Sequence, residues 1–163
     1  DKLMRYPLEI LKEHGLGLPE IQATIAKIDP LPGAKAFLDE LRTLTQVIIL
    51  SDTFEEFAKP LMEKLGWPTI FCNSLEVAES GEITGYRMRC EKSKLTTVKA
   101  LQSIGYETIA SGDSYNDLPM LQYAGCAVAM GNANAAVKAV CDHIADSNNH
   151  DGVGKFLAQL LAQ

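Results

Sequence analysis

Apolar side chains recur at helical spacing in two stretches near the start of the chain, residues 3 to 14 (Leu8, Leu11) and 18 to 28 (Ile21, Ile25, Ile28), with Gly15 and Gly17 breaking the run between them. The spacing predicts a short helical hairpin. Pro30 and Pro32 end that pattern, and Gly33 opens a third helix whose buried stripe is Ala36, Phe37, Leu38 and Leu41. The period then changes. Val47-Ile48-Ile49-Leu50 is an unbroken apolar run leading into Ser51-Asp52-Thr53, the pattern of a parallel strand buried on both faces. A helix from about Phe54 to Leu65 follows, then a short strand from Thr69 to Cys72. Two alternating segments around Ser80-Gly81 make residues 74 to 88 a β-hairpin. After it come a helix from Lys94 to Ser103, a strand from Glu107 to Ser111 and the polar loop Gly112-Asp113-Ser114-Tyr115-Asn116-Asp117. A strand from Cys126 to Met130, a helix from Asn134 to Val140, a strand at Ile144 and a last helix from Gly152 complete the series. Strand and helix in alternation predict the α/β class: a Rossmann-like parallel sheet with right-handed crossovers and helices on both faces. A small helical cap segment at the N-terminus and the hairpin decorate it.

At 163 residues, 47% of them hydrophobic, the chain is long enough for one compact α/β unit. A formal charge of -6 excludes the basic footprint that nucleic-acid binding requires, and favours a small-molecule partner. Cys72, Cys90, Cys126 and Cys141 are widely spaced, without a C-x-x-C pair or a neighbouring His at zinc-ligand spacing, and are expected as buried, reduced thiols. His14, His143 and His150 are scattered and receive no role. No apolar run reaches the ~18 residues of a membrane span, and no secretory pattern opens the chain, so the expected location is the cytoplasm. A monomer and a homodimer both stay open. The chain begins Asp1-Lys2-Leu3-Met4 and runs straight into a helical pattern, which suggests that an upstream segment has been removed.

In an open parallel sheet, ligands bind at loops leaving the carboxyl ends of strands. Two such loops are small and polar. Ser51-Asp52-Thr53 offers hydroxyls and helix-start N–H groups to a phosphate, aided by the dipole of the next helix. The competing account is a capping box, because Asp52 and Thr53 are each followed three residues later by a glutamate, Glu55 and Glu56. In the second loop, Asp113 and Asp117 stand four residues apart, hard oxygen ligands that suit Mg²⁺, which takes one or two carboxylates and keeps several waters. The competing account there is an Asx-rich turn. Lys92 and Lys94 follow the hairpin, and either could direct a cation at a phosphate held by Ser51; a solvated helix start is the plainer account.

Val47-Ile48-Ile49-Leu50-Ser51, then Lys94, then Gly112-Asp113-Ser114-Tyr115-Asn116-Asp117 resemble, in order and spacing, the second, third and fourth motifs of the haloacid dehalogenase-like phosphatases. The resemblance covers nearly the whole chain. Within that superfamily, Leu31-Pro32-Gly33, the Ser51 strand, the hairpin through Gly85 and the Gly112 loop look most like phosphoserine phosphatases, in the branch that includes a homoserine phosphotransferase activity. The tail, Val128 to Ala133 and Asp146 through Val153, is similar to the superfamily's sugar phosphatases. The resemblance implies a hydrolase of small phosphorylated metabolites, phosphoserine first among them and serine biosynthesis as its setting, with a cap in residues 1–30 and a core in 31–163. It implies that Ser51 binds the transferring phosphoryl group with the Asp52 N–H beside it, and that Lys94 neutralises phosphate and nucleophile charge. Asp113 would bind Mg²⁺, Asp117 would be a second metal-site carboxylate acting on a metal-bound water or the Ser51 loop, and Asn116 would orient Lys94 or the substrate.

Two departures matter. The family's D-x-D-x-[TV] motif, which supplies the aspartyl nucleophile and the acid/base from the central strand, occurs nowhere in these 163 residues. Its absence predicts neighbouring strands without a partner and exposed apolar surface. The chain is then a fragment, or receives the segment from another chain, or is a rearranged non-catalytic form; the first is favoured. In the cap, Pro7 stands where the family places its substrate-carboxylate Arg, with Arg5 two residues away. A phosphate- or metal-binding module without turnover is therefore the rival class. A flavodoxin-like or receiver-like domain is a third, but no cluster of acids sits at a first strand end with a phosphoacceptor Asp at a third.

Overall fold

The computed structural model describes residues 10, 11, 13–147 and 152–161. The start of the first expected helix, Arg5 and Pro7 in the cap, and His150, Asn148 and Asp151 in the tail lie outside the described residues. The chain forms two compact units, residues 1–89 and 90–163.

The first unit contains α1 (Leu18–Ile25), α2 (Ala34–Leu44), β1 (Ile48–Phe54), α3 (Glu55–Lys64), β2 (Thr69–Val77) and β3 (Ile83–Arg87). β1 and β2 are parallel, and β2 and β3 form the expected hairpin. Sequence alternation divides β2 into a short strand and one arm of a hairpin. In the structure it is one nine-residue strand whose first half pairs with β1 and whose second half pairs with β3.

Two apolar clusters hold this unit together. Phe54, Leu75 and Ile83 pack with Leu18, Ile21 and Tyr86, and Ala58, Met62 and Leu65 pack with Leu38, Ile49 and Ile70. Helix α3 carries Pro60 in its interior, which removes the N–H that would serve the Glu56 carbonyl. Gln22 Nε2 of α1 donates to that carbonyl at 2.8 Å, so a helix defect becomes the anchor for α1. Lys64 Nζ at the other end of α3 donates to the carbonyls of Ala26 and Ile28 at 2.7 and 2.8 Å, fixing the chain where it leaves α1.

The second unit contains α4 (Ser93–Ser103), β4 (Ile109–Gly112), a 3₁₀ turn (Tyr115–Asp117), α5 (Leu118–Leu121), β5 (Cys126–Ala129), α6 (Ala135–Val140), β6 (His143–Ile144) and α7 (Gly152–Leu161). Its sheet is wholly parallel, in the order β4-β5-β6. The central strand is built of small residues and is the most enclosed, with Ala127 at 1% and Val128 and Ala129 at 0% exposure.

Among the described residues β1 pairs with β2 alone and β4 with β5 alone, so each sheet ends on a parallel strand with an open edge. Within each sheet, β1 and β4 are edge strands. This corrects the expected burial of β1: Ile48, Ile49 and Leu50 are half-buried, because an edge strand has a neighbour on one side only. The cysteines need the same correction. Cys72, Cys90, Cys126 and Cys141 are free, as expected, but half-buried.

Candidate functional site

Strand β1 does not end at Leu50. It continues through Ser51, Asp52 and Thr53 to Phe54, with an irregularity on the way: Leu50 pairs with Phe71, and the next pair is Phe54 with Asn73. The polar triplet is thus an excursion within the strand. Ser51 Oγ accepts a hydrogen bond from the Thr53 N–H at 3.2 Å, and Asn73 Nδ2 donates to the Asp52 carbonyl at 3.0 Å. The Asp52 side chain is exposed. Phe54 is the N-cap of α3 and no side chain caps that helix, so the capping-box account of the triplet fails. Glu56 is engaged elsewhere, accepting from the Leu75 N–H at 2.8 Å.

The Gly112–Asp117 loop is built around one buried carboxylate. Asp117 Oδ2 accepts from the N–H groups of Asp113 and Ser114, both at 3.1 Å, and Oδ1 receives Lys94 Nζ at 2.6 Å. The two charged side chains are 13% and 9% exposed, so their attraction is weakly screened. Asp117 leaves no room at Gly112, where an added Cβ would stand 2.7 Å from its side chain. The loop does cap its own turn, as the Asx-turn account requires, but a cap has no need of a buried ammonium.

Asp113 itself is exposed, and its Oδ1 accepts from Ser114 Oγ at 2.8 Å. Its carbonyl receives both the N–H and the Nδ2 of Asn134, at 3.2 and 3.3 Å, while Asn134 Oδ1 accepts from the Val137 N–H and caps α6. Asn116 is exposed on the same turn. Of the two lysines, Lys94 reaches the loop, whereas Lys92 is the N-cap of α4 in the left-handed conformation, φ 48° and ψ 49°. Asn73 and Asn134 were not singled out from the sequence. The signal for Asn73 was an amide directly after the apolar run Ile70-Phe71-Cys72; for Asn134 it was an N-cap residue following a strand.

Among the described residues, no group of three or more His, Cys, Asp or Glu could hold a metal. The donors present fit Mg²⁺: Asp113 offers an exposed carboxylate beside a polar turn, and this ion keeps most of its waters. Asp117 Oδ2 accepts two N–H bonds, whereas Oδ1 accepts from Lys94 and keeps a further lone pair that a water could use. Burial raises the thiol pKa values of Cys72, Cys126 and Cys141. At Cys72, Glu55 and Glu56 add to the effect and Arg89 opposes it; at the other two, Asp142 adds to it.

The first unit carries the hydroxyls of Ser51 and Thr53 within β1, and the second a lysine-braced Asp loop after β4. The chain belongs to the haloacid dehalogenase-like hydrolases, whose sequence model matches residues 38–157. It is 51% identical over 124 residues to the phosphoserine phosphatase ThrH of Pseudomonas aeruginosa, covering 76% of this chain and 60% of that protein. It resembles a solved phosphoserine phosphatase in apo form with a TM-score of 0.67 and 28% identity, over 79% of this chain and 68% of the other. A phospho-aspartyl intermediate analogue of phosphoserine phosphatase matches with a TM-score of 0.65 and 28% identity, over 79% and 65%. The chain spans about 60% of the length of its Pseudomonas aeruginosa relative. No helix among the described residues is long and apolar enough to cross a membrane.

Proposed function

We propose that this chain carries most of a Mg²⁺-dependent phosphomonoester hydrolase or phosphotransferase of the cytoplasm, acting on phosphoserine or a similar small phosphate through an aspartyl-phosphate. Residues 1–30 serve as cap and 31–163 as core, and the nucleophile comes from a D-x-D-x-[TV] segment that these 163 residues do not include. The observation that carries this reading is the Lys94–Asp117 pair at 2.6 Å, which ties a cation to the turn that presents the Asp113 carboxylate. Electrostatic stabilisation of a dispersed phosphoryl charge needs that combination. The names of the related protein and solved structures support phosphoserine as the first substrate to test.

In this reading the Ser51 hydroxyl and the Asp52 N–H hold phosphoryl oxygens, and Lys94 neutralises their charge. Asp113 would hold the metal, Asp117 would brace Lys94 and the turn beside it, and Asn116 would orient Lys94 or the substrate. Mg²⁺, when bound, supplies Lewis-acid neutralisation of the phosphoryl oxygens. A module that binds phosphate or metal without turnover is the second reading, favoured by the absence of the nucleophile motif from the sequence.

The test is Mg²⁺-dependent phosphate release from phosphoserine and an aryl phosphate, by this chain and by the same chain extended upstream to its start codon. Turnover by the extended chain alone is the expected result. Phosphate binding without turnover in both supports the second reading and contradicts the first.

A further inference from the structure

Asn73 is a polar side chain in the middle of β2, and it is 2% exposed. Both ends of its amide are used. Oδ1 accepts from the Arg89 N–H at 3.0 Å, and Nδ2 donates to the Asp52 carbonyl, also at 3.0 Å. The second bond falls where β1 advances from residue 50 to 54 while β2 advances from 71 to 73, so regular register does not fix the Asp52–Thr53 peptide. That peptide is trans and planar, and its C=O and N–H point in opposite directions. A carbonyl drawn toward Asn73 therefore turns the Thr53 N–H to the opposite side, and there it meets Ser51 Oγ at 3.2 Å.

We infer that Asn73 is a positioning residue for the Ser51 loop, and that the Thr53 N–H it aims joins Ser51 in holding phosphoryl oxygens. This rests on the reading of Ser51 as the phosphate-binding residue, and adds the second peptide of the loop to it. Ser51 Oγ at 3.2 Å is a long, neutral acceptor. A phosphoryl oxygen is a charged one, giving a shorter and stronger bond, and would displace it. Ser51, no longer accepting from Thr53, then donates its own proton to the same phosphoryl group. Asparagine suits position 73 because one amide supplies the acceptor for Arg89 and the donor for Asp52. A carboxylate there keeps the acceptor and loses the donor, setting two oxygens against each other and freeing the peptide to turn over.

The test uses the full-length protein with Mg²⁺ and inorganic phosphate as the probe, following the ¹⁵N-labelled Thr53 amide and the apparent dissociation constant. Asn73→Asp is the variant, and its KM and kcat for the phosphomonoester are measured beside its melting temperature. We expect the Thr53 amide resonance of the wild type to move on saturation with phosphate. In the variant, phosphate affinity should fall about tenfold with a matching rise in KM, the loss of one hydrogen bond to a charged group. A Thr53 resonance that stays fixed while phosphate binds overturns the inference and leaves the proposed function standing. So does a folded variant that binds phosphate as the wild type does. If the variant does not fold, the wild-type Thr53 resonance decides alone. If the wild type neither binds phosphate nor hydrolyses a phosphomonoester, the proposed function falls and this inference with it.

Discussion

The polar segment inside β1 and the loop after β4 are held in opposite ways. Around Ser51 the chain is governed through its backbone: a strand irregularity and an Asn73 amide on the Asp52 carbonyl. Around Asp113 it is governed through side chains, with the Asp117 carboxylate drawing in two N–H groups and an ammonium over a glycine that has no space for a methyl group. A backbone-held loop can keep its polar groups available to an incoming anion. A side-chain-held loop is rigid before any ligand arrives, which suits a metal site whose charge must not move during the reaction. The difference teaches that the first loop should be sensitive to changes in its neighbours, and the second to changes in itself.

The largest break in that contrast should come from Asp117→Ala. It leaves Lys94 charged in a site where its side chain is 13% exposed, and should destabilise the second unit by about 3 kcal/mol, read from urea unfolding. Ser51→Ala, which touches no such pair, should change stability by less than about 1 kcal/mol. Gly112→Ala comes next, costing about 1–3 kcal/mol because the new Cβ would stand 2.7 Å from Asp117, and calorimetry should show the loss. Gln22→Ala should cost about 1 kcal/mol by removing the donor that serves the Glu56 carbonyl beside Pro60; protease cleavage between α1 and α3 should quicken. Lys92→Gly should raise stability, by about 1 kcal/mol, since glycine holds φ 48° without the Cβ penalty.

The smallest effect is a pH dependence. Burial raises the pKa of the Cys72, Cys126 and Cys141 thiols, so the folded chain holds these protons more tightly than the unfolded one. Their contribution is fully present below the unfolded value, near ~8.5, and is lost as pH rises through the folded values. Melting temperature should therefore decline above about pH 8.5, and replacing the three with Ser should flatten that decline. An unchanged slope would remove the thiols from the account.

Much of this was legible in the chain itself. The 3.6-residue spacing of Ile21 and Ile25, the apolar runs at Ile48–Leu50 and Cys126–Ala129, and the turn at Ser80-Gly81 each reflect local geometry, and the structure has an element at each. The end of β1 was not legible, because Ser, Asp and Thr have the composition of a turn, and the cross-strand amide that carries the strand through them belongs to a residue 21 positions away. The continuity of β2 was hidden for a related reason: its two halves pair with different neighbours and so alternate differently. For the site, the sequence named Ser51, Asp113 and Lys94 but could not choose between Lys92 and Lys94 as the phosphate lysine. The structure shows Lys94 Nζ meeting Asp117 across 23 positions of sequence, a tertiary contact with no periodic signature.

The central claim of the proposed function is that Ser51 and Asp113 act in one chemical step, and a double-mutant cycle on the chain extended upstream to its start codon tests it most directly. Phosphate release from phosphoserine with saturating Mg²⁺ would be measured for Ser51→Ala, Asp113→Asn and the pair. The account predicts a loss of roughly 100-fold or more for each single change, with the pair scarcely worse than the more damaging single, as residues working as a unit behave. Losses that multiply, or an Asp113→Asn variant that keeps its metal-dependent rate, would contradict it.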